Sequence, residues 1–304
     1  MDPIAPSIYM PAGDRFSYRP TIKRPVMELP NGARVAFWVG LNIECYDPLK
    51  PGIAIHVHGP GVNPDPLNQG WVDYGPRVGV WRVMDGLDSA GLRASVLLNA
   101  DVCTVYPEII DAGNARNWVW LAHGRNNSTP QQEVAGDREY EYLRDVVAII
   151  TSGTGRPPRG WLGPGLSETF QTPDHLAKLG IEYICDWCND DLPYEMKVIE
   201  GRMISVPYSI ELNDIPMCVG KGMTGPQVYE AITDQFDVLY QEATRTGPRV
   251  MCLALHPFVI GTPFRYKHLM RALSYITRHS GVWLTTSDDI ANWYYSNYYD
   301  SGQS

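Results

Sequence analysis

The chain has 304 residues, 44% of them hydrophobic, enough to bury a substantial core, and a formal net charge of −9. No basic block is longer than Lys23-Arg24, which argues against nucleic acid or an anionic membrane as a partner. No stretch approaches the roughly 18 uncharged apolar residues of a membrane span, and Met1-Asp2-Pro3-Ile4-Ala5-Pro6 lacks a basic, apolar leader, so a cytoplasmic protein is expected.

The first 33 residues are Pro-rich and aperiodic and read as an arm; residues 34–304 read as one domain. Ala36 to Leu41 predicts a buried strand, and residues 47–75 a long loop rich in Gly and Pro. Val78 to Ala90 places Val80, Trp81, Met84 and Leu87 at helical spacing, with Gly91 as the stop. Strands follow at 94–98 and 118–122, with a short helix at 107–112 between them. A helix over 138–150 precedes a short strand at 160–162, and a helix over 173–179 precedes a strand at 183–185. A further strand is expected near 205–207, then the longest helix at 226–245, a strand at 250–255, a helix at 266–279 and a last strand at 282–284. About seven alternations of strand and helix predict an α/β fold with a parallel sheet, closed into a barrel. There is neither a G-x-G-x-x-G after a strand nor a G-x-x-x-x-G-K-[ST], so nucleotide binding has no support.

The six cysteines are scattered and read as reduced, buried thiols; the single C-x-x-C, Cys185 and Cys188, is not expected to bind metal. His56 and His58 in the long loop stand at a spacing that can bind metal on extended chain, although exposed loop histidines are the commoner case. The aromatic run Trp293 to Tyr299 is expected to pack on the body or on a partner subunit.

In a parallel barrel, chemistry collects at the carboxyl ends of the strands. Those positions hold Glu44, His123 and His256. Amide hydrolysis needs a base for water, an acid for the leaving nitrogen and a group to stabilise the oxyanion, and one carboxylate with two histidines can supply all three. The loops add Trp161, Trp187, Asn189, Asp190, Tyr208, Glu211 and Asn213, with Arg159, as expected substrate contacts.

These segments resemble the polysaccharide deacetylase superfamily, the NodB-homology fold, in its allantoinase-like and cyclic-imide-hydrolase-like branch. The resemblance rests on Leu41-Asn42-Ile43-Glu44, Gly79-Val80-Trp81-Arg82, Ala122-His123-Gly124, Gly160 to Gly165, Asp186 to Tyr194, Pro207 to Asp214 and Leu255-His256-Pro257, in that order from about residue 34 to 293. It implies a deformed (β/α)7-type barrel, homo-oligomers (a dimer or tetramer) and hydrolysis of carbon–nitrogen bonds other than peptide bonds. Sugar deacetylases of the family hold a divalent metal with Asp-His-His and use a further Asp as base and the last-motif histidine as acid. Here the usual pair of acids is Glu44-Cys45, and Asn127 stands where the second metal-binding histidine is expected. Glu44, His123 and Asn127 are thus the candidate ligands of a metal such as zinc, with Glu44 either ligand or base. Ring opening of a small cyclic amide, imide or ureide is the leading expectation; metal-dependent N-deacetylation of amino-sugar polymers is the alternative.

Overall fold

The computed structural model describes residues 15–48, 50 and 64–300. Its strands are β1 (Val35–Ile43), β2 (Ala94–Leu98), β3 (Val119–Ala122), β4 (Gly160–Trp161), β5 (Tyr183–Ile184), β6 (Tyr194–Met196), β7 (Met203–Ser205), β8 (Arg249–Leu255) and β9 (Val282–Leu284). They form one sheet in the order β6-β7-β5-β4-β3-β2-β1-β8, with β9 also pairing β1. The β6–β7 pair is antiparallel and the other pairings are parallel. The result is the expected deformed (β/α) barrel in a single domain.

All nine residues of β1 are buried, as a strand covered on both faces requires. The register pairs Ile43 with Leu98, Leu98 with Ala122, and Leu41 with Leu255, so β1, β2, β3 and β8 end at nearly the same level. β8 and β6 lie at opposite ends of the sheet order, and part of the interval is closed by the segment after β7, where Asn213 bridges to Ala254. That bridge brings the residue after Asn213 beside the end of β8.

Two glycines permit close approach at this end of the barrel. A Cβ on Gly79 would lie 2.0 Å from the Pro257 carbonyl oxygen, so only glycine lets this segment press on the helix Pro257–Ile260 that follows β8. Gly124, directly after His123, has φ +64°, in the region that favours glycine.

Two expectations need correction. Within the segment read as a loop over 47–75, Pro66–Tyr74 is a helix: the Asp65 side chain accepts from the Asn68 backbone N–H at 3.0 Å and Pro66 occupies the first turn, an N-terminal signal outweighed in the sequence by the surrounding Gly and Pro. His56 and His58 lie outside the described residues. β6 is too short and too polar to show a strand period and was not predicted. The aromatic tail packs on its own body: Trp293, Tyr294 and Tyr295 are buried, and the Trp293 indole donates to the Glu28 carbonyl at 3.0 Å. The cysteines are free thiols, Cys185 among the buried ones. No helix among the described residues is long and apolar enough to cross a membrane.

Candidate active site

Glu44, His123 and His256 directly follow, or nearly follow, β1, β3 and β8, and the level register brings them together. Glu44 Oε1 lies 3.3 Å from His123 Nε2 and 3.6 Å from His256 Nε2. The three side chains are only 2–6% exposed.

Each group is oriented from behind. His123 Nδ1 is 2.6 Å from the Leu162 carbonyl oxygen, which can only accept, so Nδ1 carries a proton and Nε2 faces Glu44. His256 Nδ1 donates to Asp214 Oδ1 at 2.7 Å, and the His256 backbone N–H donates to Asp214 Oδ2 at 2.8 Å. The Tyr46 hydroxyl donates to Glu44 Oε2 at 2.5 Å. Asn42, buried near the end of β1, donates to the Tyr208 hydroxyl at 3.0 Å and to the Leu255 carbonyl at 3.2 Å, tying β1 to β8. Asn99, just past β2, accepts from the Cys45 backbone N–H at 2.9 Å and donates to the His123 carbonyl, tying β1 to β3.

The electrostatics follow from this packing. Burial works to raise the Glu44 pKa, but the charge of His256 and the hydrogen bonds of both histidines outweigh it and hold the carboxyl well below its ordinary value. Burial likewise works to lower the His256 pKa, and the charges of Glu44 and Asp214 overcome it and push the imidazole up to about 10. The site is therefore a buried carboxylate beside an imidazolium that is itself backed by a second carboxylate.

Sequence reasoning missed Asp214, Tyr46, Asn42 and Asn99. Asp214 stands next to the predicted Asn213, whose own amide oxygen accepts from the Ile215 backbone N–H at 3.0 Å and caps a turn. Asn99 was legible in principle, since the residue just past a predicted strand is a strand-end polar group.

The other predicted substrate contacts do not join this cluster. Arg159 precedes β4, at the amino end of the sheet, and pairs with Glu182 through its Nε at 2.6 Å. Trp161 is fully buried in the core. Trp187 is half-buried, donates to Glu168 Oε2 at 3.1 Å and packs on Phe16 at 5.4 Å between ring centroids. Asp190 is ion-paired with Arg24 at 2.5 Å, and Glu211 with Lys221 at 2.7 Å. Asn189, Asp190, Tyr208 and Glu211 line a cavity of about 500 Å³ that Glu44 does not line. Glu44 opens on a different cavity of about 510 Å³, walled by Tyr46, Gln69, Asp73, Asp101, Tyr106 and Arg125 among others. Strand-end position alone could not separate these two cavities.

A protein of Schizosaccharomyces pombe described as “Putative polysaccharide deacetylase” is 26% identical over 235 residues, 72% of this chain and 73% of that one. A peptidoglycan deacetylase of Helicobacter pylori is 25% identical over 216 residues, covering 60% of this chain and 71% of that one. The crystal structure of PuuE allantoinase superposes with a TM-score of 0.80 at 26% identity, covering 90% of this chain and 94% of that one. The chain is therefore similar in sequence and fold to proteins of the polysaccharide deacetylase superfamily. No family model matches it.

Whether this site could hold a metal turns on its donor set. Glu44 offers one oxygen towards His123, its other being bonded to Tyr46. Asn127 Oδ1 is buried without a hydrogen-bond partner among the described residues, while its Nδ2 donates to the Tyr46 hydroxyl at 3.3 Å. An amide oxygen is a weak substitute for the imidazole, carboxylate or thiolate that catalytic zinc prefers. Among the described residues no three His, Cys, Asp or Glu side chains converge on a metal position. Glu44, His123 and Asn127 thus do not fit a three-ligand zinc site.

Proposed function

We propose that this chain is an amidohydrolase acting on carbon–nitrogen bonds other than peptide bonds, and that its substrate is a small cyclic amide, imide or ureide. One observation carries the reading: a buried carboxylate, Glu44, lies between two strand-end histidines, one of them charged and backed by Asp214. Glu44 takes a proton from water as the water oxygen attacks the carbonyl carbon. His256 Nε2–H gives its proton to the leaving nitrogen as the C–N bond breaks, and His123 stabilises the oxyanion from the other side of Glu44. A proton passing from Glu44 back to His256 restores both groups. The pairing that holds Glu44 charged also makes it a weak base, and a substrate that draws His256 towards its nitrogen loosens that pairing and restores basicity.

A cavity of about 510 Å³ beside Glu44 is of a size that encloses small ligands. One structural relative is an allantoinase by name, which supports a ring substrate. The second reading, deacetylation of amino-sugar polymers, takes support from the names of the yeast and bacterial relatives, but it asks for a metal that the donor set fits poorly. Purified protein offered cyclic imides, cyclic ureides and N-acetylglucosamine oligomers decides between them. Ring opening without acetate release is expected; acetate release with no ring opened establishes the second reading instead.

The proposal includes a cytoplasmic enzyme, since a small substrate diffuses to it, and a homodimer or homotetramer. Tyr18, Ile22 and Val26 of the arm are 90%, 86% and 66% exposed, and assembly would cover these apolar side chains. Light scattering that returns a monomer mass at micromolar concentration removes the assembly.

A further inference from the structure

We infer that Tyr46 is a positioning residue for Glu44, and that Asn127 serves the site by holding Tyr46. The inference rests on the reading of Glu44 as the base and adds a part that neither histidine supplies.

A carboxylate turning about its last bond can exchange its two oxygens. Glu44 Oε1 faces both histidines at 3.3 and 3.6 Å, so the contacts that matter fall on one oxygen. The Tyr46 hydroxyl holds the other at 2.5 Å, in the range of short charge-assisted O–H···O⁻ bonds. Asn127 Nδ2 donates to the same hydroxyl at 3.3 Å. The phenol oxygen thus accepts from Asn127, which leaves its single proton for Glu44.

The surroundings give Tyr46 a fixed seat. The Asn127 backbone N–H donates to the Cys45 carbonyl at 2.8 Å, and the Asp47 backbone N–H donates to Ser128 Oγ at 3.0 Å, so the loop after β3 grips the chain on both sides of Tyr46. The Tyr46 ring meets Phe258 edge-on at 6.4 Å and 88°, two residues past His256. One side chain therefore meets the segments that follow β1, β3 and β8, the three strands whose ends carry Glu44, His123 and His256. The one side-chain hydrogen bond of Asn127 among the described residues is the one to Tyr46.

Tyr46→Phe removes the hydroxyl and keeps the ring. Loss of a group that aims a catalytic side chain can cost about 10²-fold, so kcat should fall by about 10- to 100-fold with KM within about twofold. Asn127→Ala should lower kcat less, and the double variant should be no slower than Tyr46→Phe alone, because both act through one hydroxyl. A direct readout is the infrared carboxylate band of Glu44, identified by its absence in Glu44→Gln; Tyr46→Phe should shift it, with thermal melting confirming that each variant is folded. An unshifted band, an unchanged kcat, or losses that multiply in the double variant would each overturn the inference. If the wild type releases acetate and opens no ring, the substrate reading fails, while the band and the double-variant test, run on acetate release, still judge Tyr46.

Discussion

Two buried carboxyl sites in this molecule meet opposite fates. Glu44 is shut from solvent between two histidines and is held ionised. Glu168 and Asp186, in the loops after β4 and β5, face no histidine among the described residues, and the Arg15 charge acts on Glu168 too weakly to offset burial. Glu168 Oε2 takes the Trp187 indole proton, Asp186 Oδ1 takes the Gly163 backbone N–H at 2.7 Å, and the second oxygen of each is buried. Burial pushes Glu168 up from 4.5 to about 7 and raises Asp186 well above its ordinary value, with the charge of Glu168 adding to it. Withdrawal from water penalises charge in both places; only a histidine backed by a second carboxylate reverses the outcome. A buried acid is thus held ionised by its neighbours in one place, and has its pKa raised by burial in the other.

The contrast can be broken most sharply at Glu44. Glu44→Gln keeps the shape and removes the charge, and kcat should fall by about 10²- to 10⁴-fold, as loss of a general base does; steady-state assay of folded protein checks it, and near-normal turnover would take Glu44 out of the mechanism. Asp214→Asn tests the support behind His256. It should lower kcat by about 10- to 100-fold, less than loss of the acid itself. With one raising charge gone, the His256 pKa must drop from about 10, so the alkaline limb of the kcat/KM profile should move to lower pH.

Glu168→Gln addresses the other half of the comparison through stability. The folded state binds a proton on Glu168 that the unfolded chain releases near 4.5, so its contribution is present below that pH and is lost as pH rises through about 7. Wild-type Tm should therefore decline between about pH 5 and about pH 8, and Glu168→Gln should show a shallower decline in a calorimetric series. A parallel decline in both proteins would mean that the Glu168 carboxyl is ionised at its site. The smallest effect is expected from chelation: metal-free protein, verified by elemental analysis, should retain ring-opening activity, since Glu44, His123 and Asn127 do not form a three-ligand zinc site.

Strand-end logic found Glu44, His123 and His256 because a parallel barrel gathers its carboxyl ends, whichever side chains intervene. The same logic failed for Arg159, which flanks a strand at its amino end, and for Trp161, whose indole fills the core. One-dimensional position cannot tell the two ends of a two-residue strand apart, nor a core aromatic from a stacking one.

Sequence by itself determined the alternation of apolar strands and amphipathic helices, the parallel sheet that follows from it, and the three strand-end groups, because hydrophobic period and strand polarity are local properties of the chain. Tertiary structure alone decided that Asp214 rather than Asn213 backs His256, that Tyr46 caps Glu44, and that Glu168 and Asp186 share one buried environment. Those outcomes depend on hydrogen bonds between residues as far apart as 42 positions, such as Asp214 and His256, on how the loop after β3 seats Tyr46 against Glu44, and on which oxygens the fold withdraws from water, and a local sequence pattern specifies none of these.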